Sequence, residues 1–140
     1  SLDSVSLALE IEKQSAKQGI VSDVLVEVNI ACEENKSGAD VSEVYEIIEK
    51  VSTLPHVRLR GMMTIGPKCE TFEEYKVYFE KTYMLFSEIF LDKTNEKGHN
   101  IDDPILSMGM SDSYTAALAC GANVIRPGQC LFGARYYPEK

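Results

Sequence analysis

The sequence predicts an α/β fold in which helices cover a parallel sheet, and more specifically the second half of a (β/α)₈ barrel. Three observations carry this reading. Segments with a strand period alternate strictly with segments of helical period, giving α-β-α-β-α-β-α-β along 140 residues. Glu27, Asn29, Arg58 and Arg60 stand on strand faces opposite the aliphatic residues, as polar barrel-interior residues would. No G-x-G-x-x-G follows any strand, which counts against an open doubly wound sheet. Four strands cannot close a barrel, and a whole one takes about 250 residues. The expected domain is therefore one partial barrel over residues 1–140, lacking its N-terminal strands.

The elements follow in order. A helical period begins at Val5-Ser6-Leu7-Ala8-Leu9-Glu10-Ile11, with Asp3-Ser4 placed to cap it, and fades at Gly19. Asp23 to Ile30 is the clearest strand, with Val24, Val26, Val28 and Ile30 on one face and Leu25, Glu27 and Asn29 on the other. After the polar loop Ala31 to Gly38, Asp40 caps a helix whose apolar positions are Val41, Val44, Ile47, Ile48 and Val51. Pro55 closes it. A second strand runs from Val57 to about Thr64, where Val57, Leu59, Gly61 and Met63 oppose Arg58, Arg60 and Met62. Alternation on both strands places Glu27 and Arg60 inward on neighbouring strands, so an ion pair or water bridge between them is expected. Gly66-Pro67 marks a turn. Phe72, Tyr75, Phe79, Tyr83, Phe86 and Phe90 then step by three and four along a helix, a spacing that reads as a core-facing stripe. Asp92 to Asp103 is a polar loop. Two short strands, Ile105–Ser107 and Asn123–Arg126, flank a small-residue helix at Tyr114–Ala119.

Composition narrows the function classes. A net charge of −8 with no clustering of Arg58, Arg60, Arg126 and Arg135 argues against nucleic acid and anionic membranes as partners. No unbroken apolar run could span a bilayer and no signal-peptide pattern opens the chain, so a cytoplasmic protein is expected. Cys32, Cys69, Cys120 and Cys130 form no C-x-x-C pair, which favours reduced, mostly buried thiols over a zinc site.

The chemistry gathers at the ends of the last two strands. Met108-Gly109-Met110-Ser111 follows the first and Pro127-Gly128-Gln129 follows the second. Both loops offer glycine and free N–H groups, and in (β/α)₈ barrels a phosphate site commonly follows the last two strands. Ser111-Asp112-Ser113 alone would read as a plain helix cap; a second anion-friendly loop beside it shifts the balance. Arg126, by default an ion-pair partner, could there reach along a bound ligand.

Val-Glu-Val-Asn-Ile with Lys36-Ser37-Gly38 after it, Leu59 to Gly66 (LRGMMTIG), Leu106 to Asp112 (LSMGMSD) and Arg126 to Arg135 (RPGQCLFGAR) together resemble the pyridoxal-phosphate homeostasis proteins, the YggS/PROSC group. Ser1 to Ser4 is similar to that family's step into a helix. The resemblance runs in register over nearly the whole chain and implies the barrel domain of alanine racemase, with pyridoxal 5′-phosphate as cofactor. By it, Ser111 with backbone of Gly109 and Met110 would hold the cofactor phosphate. Gly128 and Gln129 would add N–H groups, although the family more often has Ser or Thr where Gln129 stands. Arg126 would face the pyridine nitrogen, Ser107 and Met62 would line the ring, and Asn29 would stand at a strand end nearby. Lys36 would approach the ligand from its loop. The family's Schiff-base lysine lies in an A-V-S-K-type segment that does not occur here, so it is expected upstream of this chain; Lys68 is the local substitute to consider.

The function so implied is cofactor buffering and delivery without turnover of its own, with the missing barrel half and pyridoxal-phosphate-dependent apo-enzymes as partners and a monomer or weak homodimer as the expected state. An arginine at the pyridine nitrogen leaves it unprotonated and the ring a poor electron sink, which suits a carrier. The alternative is a racemase or decarboxylase of the same barrel type. That needs a second acid/base group, for which Tyr136 and Tyr137 are the candidates. A phosphosugar-binding barrel is a third reading.

Overall fold

A computed structural model describes residues 1–134; Arg135 to Lys140, and with them the tyrosines at 136 and 137, lie outside the described residues. The elements are α1 (Val5–Gln18), β1 (Ser22–Val28), α2 (Val44–Ser52), β2 (Val57–Thr64), α3 (Phe72–Phe86), β3 (Ile105–Met110), α4 (Tyr114–Ala119), β4 (Val124–Arg126) and α5 (Gly128–Phe132). The strands form one sheet in the order β1-β2-β3-β4, each neighbouring pair parallel. Sequential order with a helix in every crossover is the barrel pattern, and no strand reverses it.

The helix ends follow from local chemistry. Ser4 Oγ accepts the Leu7 N–H at 3.3 Å, and Gly19 closes α1 in the left-handed region with φ +65°. Glu12 clamps α1 to the start of β2, accepting the His56 backbone N–H at 2.8 Å and approaching His56 Nδ1 at 2.8 Å. Asp40 opens a 3₁₀ turn over Val41–Glu43 rather than the α-helix itself, and Val41 stays exposed while Val44, Ile47, Ile48 and Val51 are buried. Thr71 and Glu74 form a capping box at the head of α3. The aromatic stripe buries Tyr75, Phe79, Phe86 and Phe90, but Phe72 and Tyr83 lie at its exposed margin. The end of the stripe is a π-helical turn, Ser87–Leu91, that swings Ile89 and Phe90 into the core.

Two glycines set the register that sequence alternation alone does not give. Val24 pairs with Leu59 and Val26 with Met62, so β2 carries one extra residue there. Gly61 sits at this bulge with φ +139°. The bulge resets the alternation: Met62 joins Val24, Val26 and Leu59 on the helix-covered face with no exposed surface, and Met63 takes the inner face beside Glu27 and Ser107. β3 has a matching irregularity. Ser107 pairs with Val124 and Met110 with Arg126, and Gly109 between them has φ +91°. Consequently β3 extends through Met110, where the sequence suggested a loop from Met108 onward.

The expected approach of Glu27 to Arg60 does not form, because the bulge puts Met63 opposite Glu27. Glu27 instead accepts a hydrogen bond from Ser37 Oγ at 2.5 Å. Arg58 pairs with Asp23 at the other end of the sheet, 2.6 Å from Nε to Oδ1. The thiols also differ from expectation: all four are free, but only Cys120 is buried, while Cys32 and Cys130 sit exposed in a loop and a first helical turn. No helix among the described residues is long and apolar enough to cross a membrane.

Candidate functional site

The sheet delivers its polar inner-face residues to the C-terminal ends of the strands. Arg126, the last residue of β4, reaches back across two strands. Its Nη1 donates to Ser107 Oγ on β3 at 2.7 Å, and its Nη2 donates to the Thr64 carbonyl at the end of β2 at 3.0 Å. Burial pulls the guanidinium below its ordinary pKa while the Glu27 carboxylate opposes that shift. Arginine starts so high that it stays cationic at any working pH. Its Nε makes no hydrogen bond among the described residues, so the guanidinium is anchored at one edge and still has donor capacity at the other.

Beyond Arg126 the turn after β3 meets the start of α5, a short helix where the sequence suggested a second loop. Ser111 Oγ accepts the Cys130 N–H at 3.1 Å, tying the end of β3 to α5. Pro127 precedes Gly128, where an added Cβ would meet nothing within 4 Å, and the N–H groups of Gly128 and Gln129 in the first turn of α5 have no acceptor among the described residues. Gly109 is required for a different reason. A Cβ there would come within 2.5 Å of Ala117 Cβ and 2.9 Å of Tyr114 Cα, so glycine lets α4 lie directly on the strand end. The Met110 N–H donates to Ser113 Oγ at 3.1 Å, so that donor is already used within the loop.

These groups line one cavity of about 640 Å³, which holds Gly109, Met110, Ser111, Arg126, Gly128 and Gln129 together with Lys36 and Lys68. Among the described residues Asp112 is the one carboxylate on its wall against three cations, so the cavity favours an anion. A neighbouring cavity of about 700 Å³ contains Asn29 but is walled by Glu33, Glu34, Asp40 and Glu43, and that charge repels a phosphate.

Of the residues expected at the site, Gly109, Met110, Ser111, Arg126, Gly128 and Gln129 are brought together. Ser107 lies beneath them as the support for Arg126. Asn29 is turned into its own loop, its amide donating to the Glu33 carbonyl at 2.9 Å and accepting the Glu33 N–H at 3.2 Å. Met62 is enclosed on the helix side, and Met63 takes the inner-face register position beside Ser107; neither is among the residues that line the cavity. Sequence reasoning missed Thr64, whose carbonyl anchors Arg126, and Tyr75 and Phe132 in the cavity wall. The bulge glycines are the signal that could have found the first shift, since a glycine inside a strand pattern often marks a bulge.

The model of the alanine racemase N-terminal domain matches residues 1–136 of this sequence. The chain belongs to that family. Within the family, the pyridoxal phosphate homeostasis protein of Aquifex aeolicus is 41% identical over 137 residues, covering 98% of this chain and 58% of the relative. That of Helicobacter pylori strain 26695 is 41% identical over 133 residues, covering 94% of this chain and 55% of the relative. The chain thus spans little more than half the length of these curated relatives. Among solved structures, PipY of Synechococcus elongatus with pyridoxal phosphate bound superposes with a TM-score of 0.78 at 28% identity, covering 95% of this chain and 59% of PipY. An alanine racemase of Clostridium difficile superposes at 0.69 with 24% identity, covering 99% of this chain and 36% of the racemase, which supports the barrel fold. The tyrosines considered as a racemase's second acid/base group, 136 and 137, fall outside the described residues.

Proposed function

We propose that this chain supplies the phosphate cup and the pyridine-facing arginine of a pyridoxal 5′-phosphate-binding barrel protein that buffers the cofactor and delivers it to apo-enzymes. The observation that carries the reading is the fixed Arg126, held by Ser107 and Thr64 in the same cavity as Ser111 and the start of α5. The residues fit the group. Gly128 and Gln129 offer N–H groups that have no acceptor among the described residues, and Ser111 adds a hydroxyl that already ties the end of β3 to α5. Arg126 presents donors only, so it hydrogen-bonds a ring nitrogen without giving it a proton.

When bound, the cofactor supplies an aldehyde and a conjugated ring. An arginine at the pyridine nitrogen restrains the ring's use as an electron sink, which suits holding over turnover. Lys36 and Lys68 are the amines on the cavity wall. The lysine that bonds the aldehyde belongs, in this reading, to a part of the barrel that precedes Ser1, and this chain is the barrel's second half. The relatives named above and the ligand in PipY support the assignment.

The test is cofactor affinity in the intact protein. One hydrogen bond to an anionic group is worth about 1.5–3 kcal/mol. Ser111→Ala should therefore weaken pyridoxal phosphate binding about tenfold or more, measured by equilibrium dialysis. Unchanged affinity would remove Ser111 from the cup and the cup from the function. Borohydride treatment followed by peptide mapping then locates the attached lysine. Attachment upstream of Ser1 fits the two-half reading, and attachment at Lys68 would place the whole site within this chain.

A further inference from the structure

The cavity has a second wall that the phosphate cup does not use. It is built from Ile65, Gly66, Pro67 and Lys68 after β2 and from Tyr75 in the first turn of α3. Arg126 separates the two walls, since it starts on β4 and ends on the Thr64 carbonyl of β2. With a phosphate held by Ser111, Gly128 and Gln129, this second wall faces whatever the phosphate is attached to.

Tyr75 is the unusual residue there. It is 8% exposed, and its ring stacks on Phe79 with centroids 6.2 Å apart and planes 11° from parallel. Gly66 brings the loop backbone down onto that stack, because a Cβ at Gly66 would already touch the Phe79 ring at 3.4 Å. The ring therefore has little freedom to turn. Its hydroxyl makes no hydrogen bond among the described residues, although a buried tyrosine oxygen normally finds a partner. Neither is the oxygen sealed in the core: the single fully enclosed unpartnered oxygen or nitrogen among the described side chains belongs to Glu33. The oxygen of Tyr75 thus keeps accessible surface, and Tyr75 is one of the residues that line the cavity.

We infer that the Tyr75 hydroxyl is a ligand-positioning group that hydrogen-bonds an oxygen substituent on the ring portion of the bound phosphorylated hydroxypyridine. This rests on the pyridoxal phosphate reading above and adds to it a contact on the side away from the phosphate. The rigid stack on Phe79 fixes the hydroxyl in place, so little conformational freedom is lost when the contact forms. The apolar Ile65 and Pro67 beside it suit an aromatic face, and the hydroxyl selects how that face is turned.

Tyr75→Phe in the intact protein tests this, because it keeps the stack and deletes only the oxygen. Pyridoxal phosphate affinity should fall about five- to tenfold, as expected for one neutral or charge-assisted hydrogen bond. The competition constant of inorganic phosphate should not move, and the thermal midpoint should hold. Unchanged pyridoxal phosphate affinity would overturn the inference, and so would an equal loss for inorganic phosphate, which would place the hydroxyl in the cup. A lowered thermal midpoint with unchanged affinity would make it a structural hydroxyl and overturn it as well. Tyr75→Leu, which removes stack and hydroxyl together, should lose at least as much affinity as Tyr75→Phe; a smaller loss would also count against the contact. If the wild-type protein bound inorganic phosphate but not pyridoxal phosphate, the functional reading itself would fail and take this contact with it.

Discussion

At Gly61 the backbone has φ +139°, and a side chain there would run into the Ile105 carbonyl oxygen of the neighbouring strand. Both facts forbid a Cβ, one through backbone strain and the other through contact. The consequence is felt at the site, because the bulge at Gly61 decides that Met63 and not Met62 lies beside Ser107. Gly61→Ala should destabilise the protein by about 3 kcal/mol or more, read as a shift of the urea midpoint. A cost under about 1 kcal/mol would mean that β2 and β3 part easily and that the bulge is not held by this contact. Arg126, Ser111 and Gly128 were legible from the sequence because their chemistry is written in residue type and loop position. The Met62/Met63 exchange was not, because strict alternation has no place for an inserted residue.

Among the elements, strands and helices appear in the order their periods predict as far as β4, with α5 an addition, and β2 spans the expected Val57–Thr64. What the periods could not show is how elements end. The helical aromatic stripe closes in the π turn Ser87–Leu91, whose Ile89 carbonyl accepts the His99 N–H at 2.7 Å. That bond folds the polar loop Asp92 to Asp103 back on itself and half-buries His99. Burial lowers the His99 pKa from its ordinary value of 6.5 by disfavouring the imidazolium. Glu46, Glu49, Glu96 and Lys97 share its recess, and burial sets the direction. A histidine whose folded pKa is depressed contributes stability that is complete above its unfolded pKa and is lost as pH falls through the folded value. Wild type should therefore lose more stability than His99→Asn between about pH 8 and pH 5. Equal slopes of urea midpoint against pH in the two proteins would show that His99 titrates alike folded and unfolded.

For the molecule as a whole, the two sides of the sheet are not equally protected. The outer edge of β1 is occupied twice. Leu2 accepts the Glu27 N–H and donates to the Leu25 carbonyl, and Ala39 then takes over, donating to the Glu27 carbonyl and accepting the Asn29 N–H. β4 has no strand on its far side among the described residues, and apolar surface lies beside it, with Leu131 70% and Phe132 88% exposed. An unpaired strand edge next to large apolar side chains is a template for association. The 140-residue chain alone should self-associate through this side, its mass by light scattering rising with concentration. Leu131 does not line the cavity around Arg126, so Leu131→Asp should reduce the association while leaving the helix and strand content by circular dichroism unchanged. A wild-type chain that stayed monomeric at high concentration would show that β4 and α5 are covered from within the chain. Association that persisted unchanged in Leu131→Asp would move the sticky surface elsewhere, and the exposed Met84 and Leu118 on α3 and α4 would be the next place to introduce a charge.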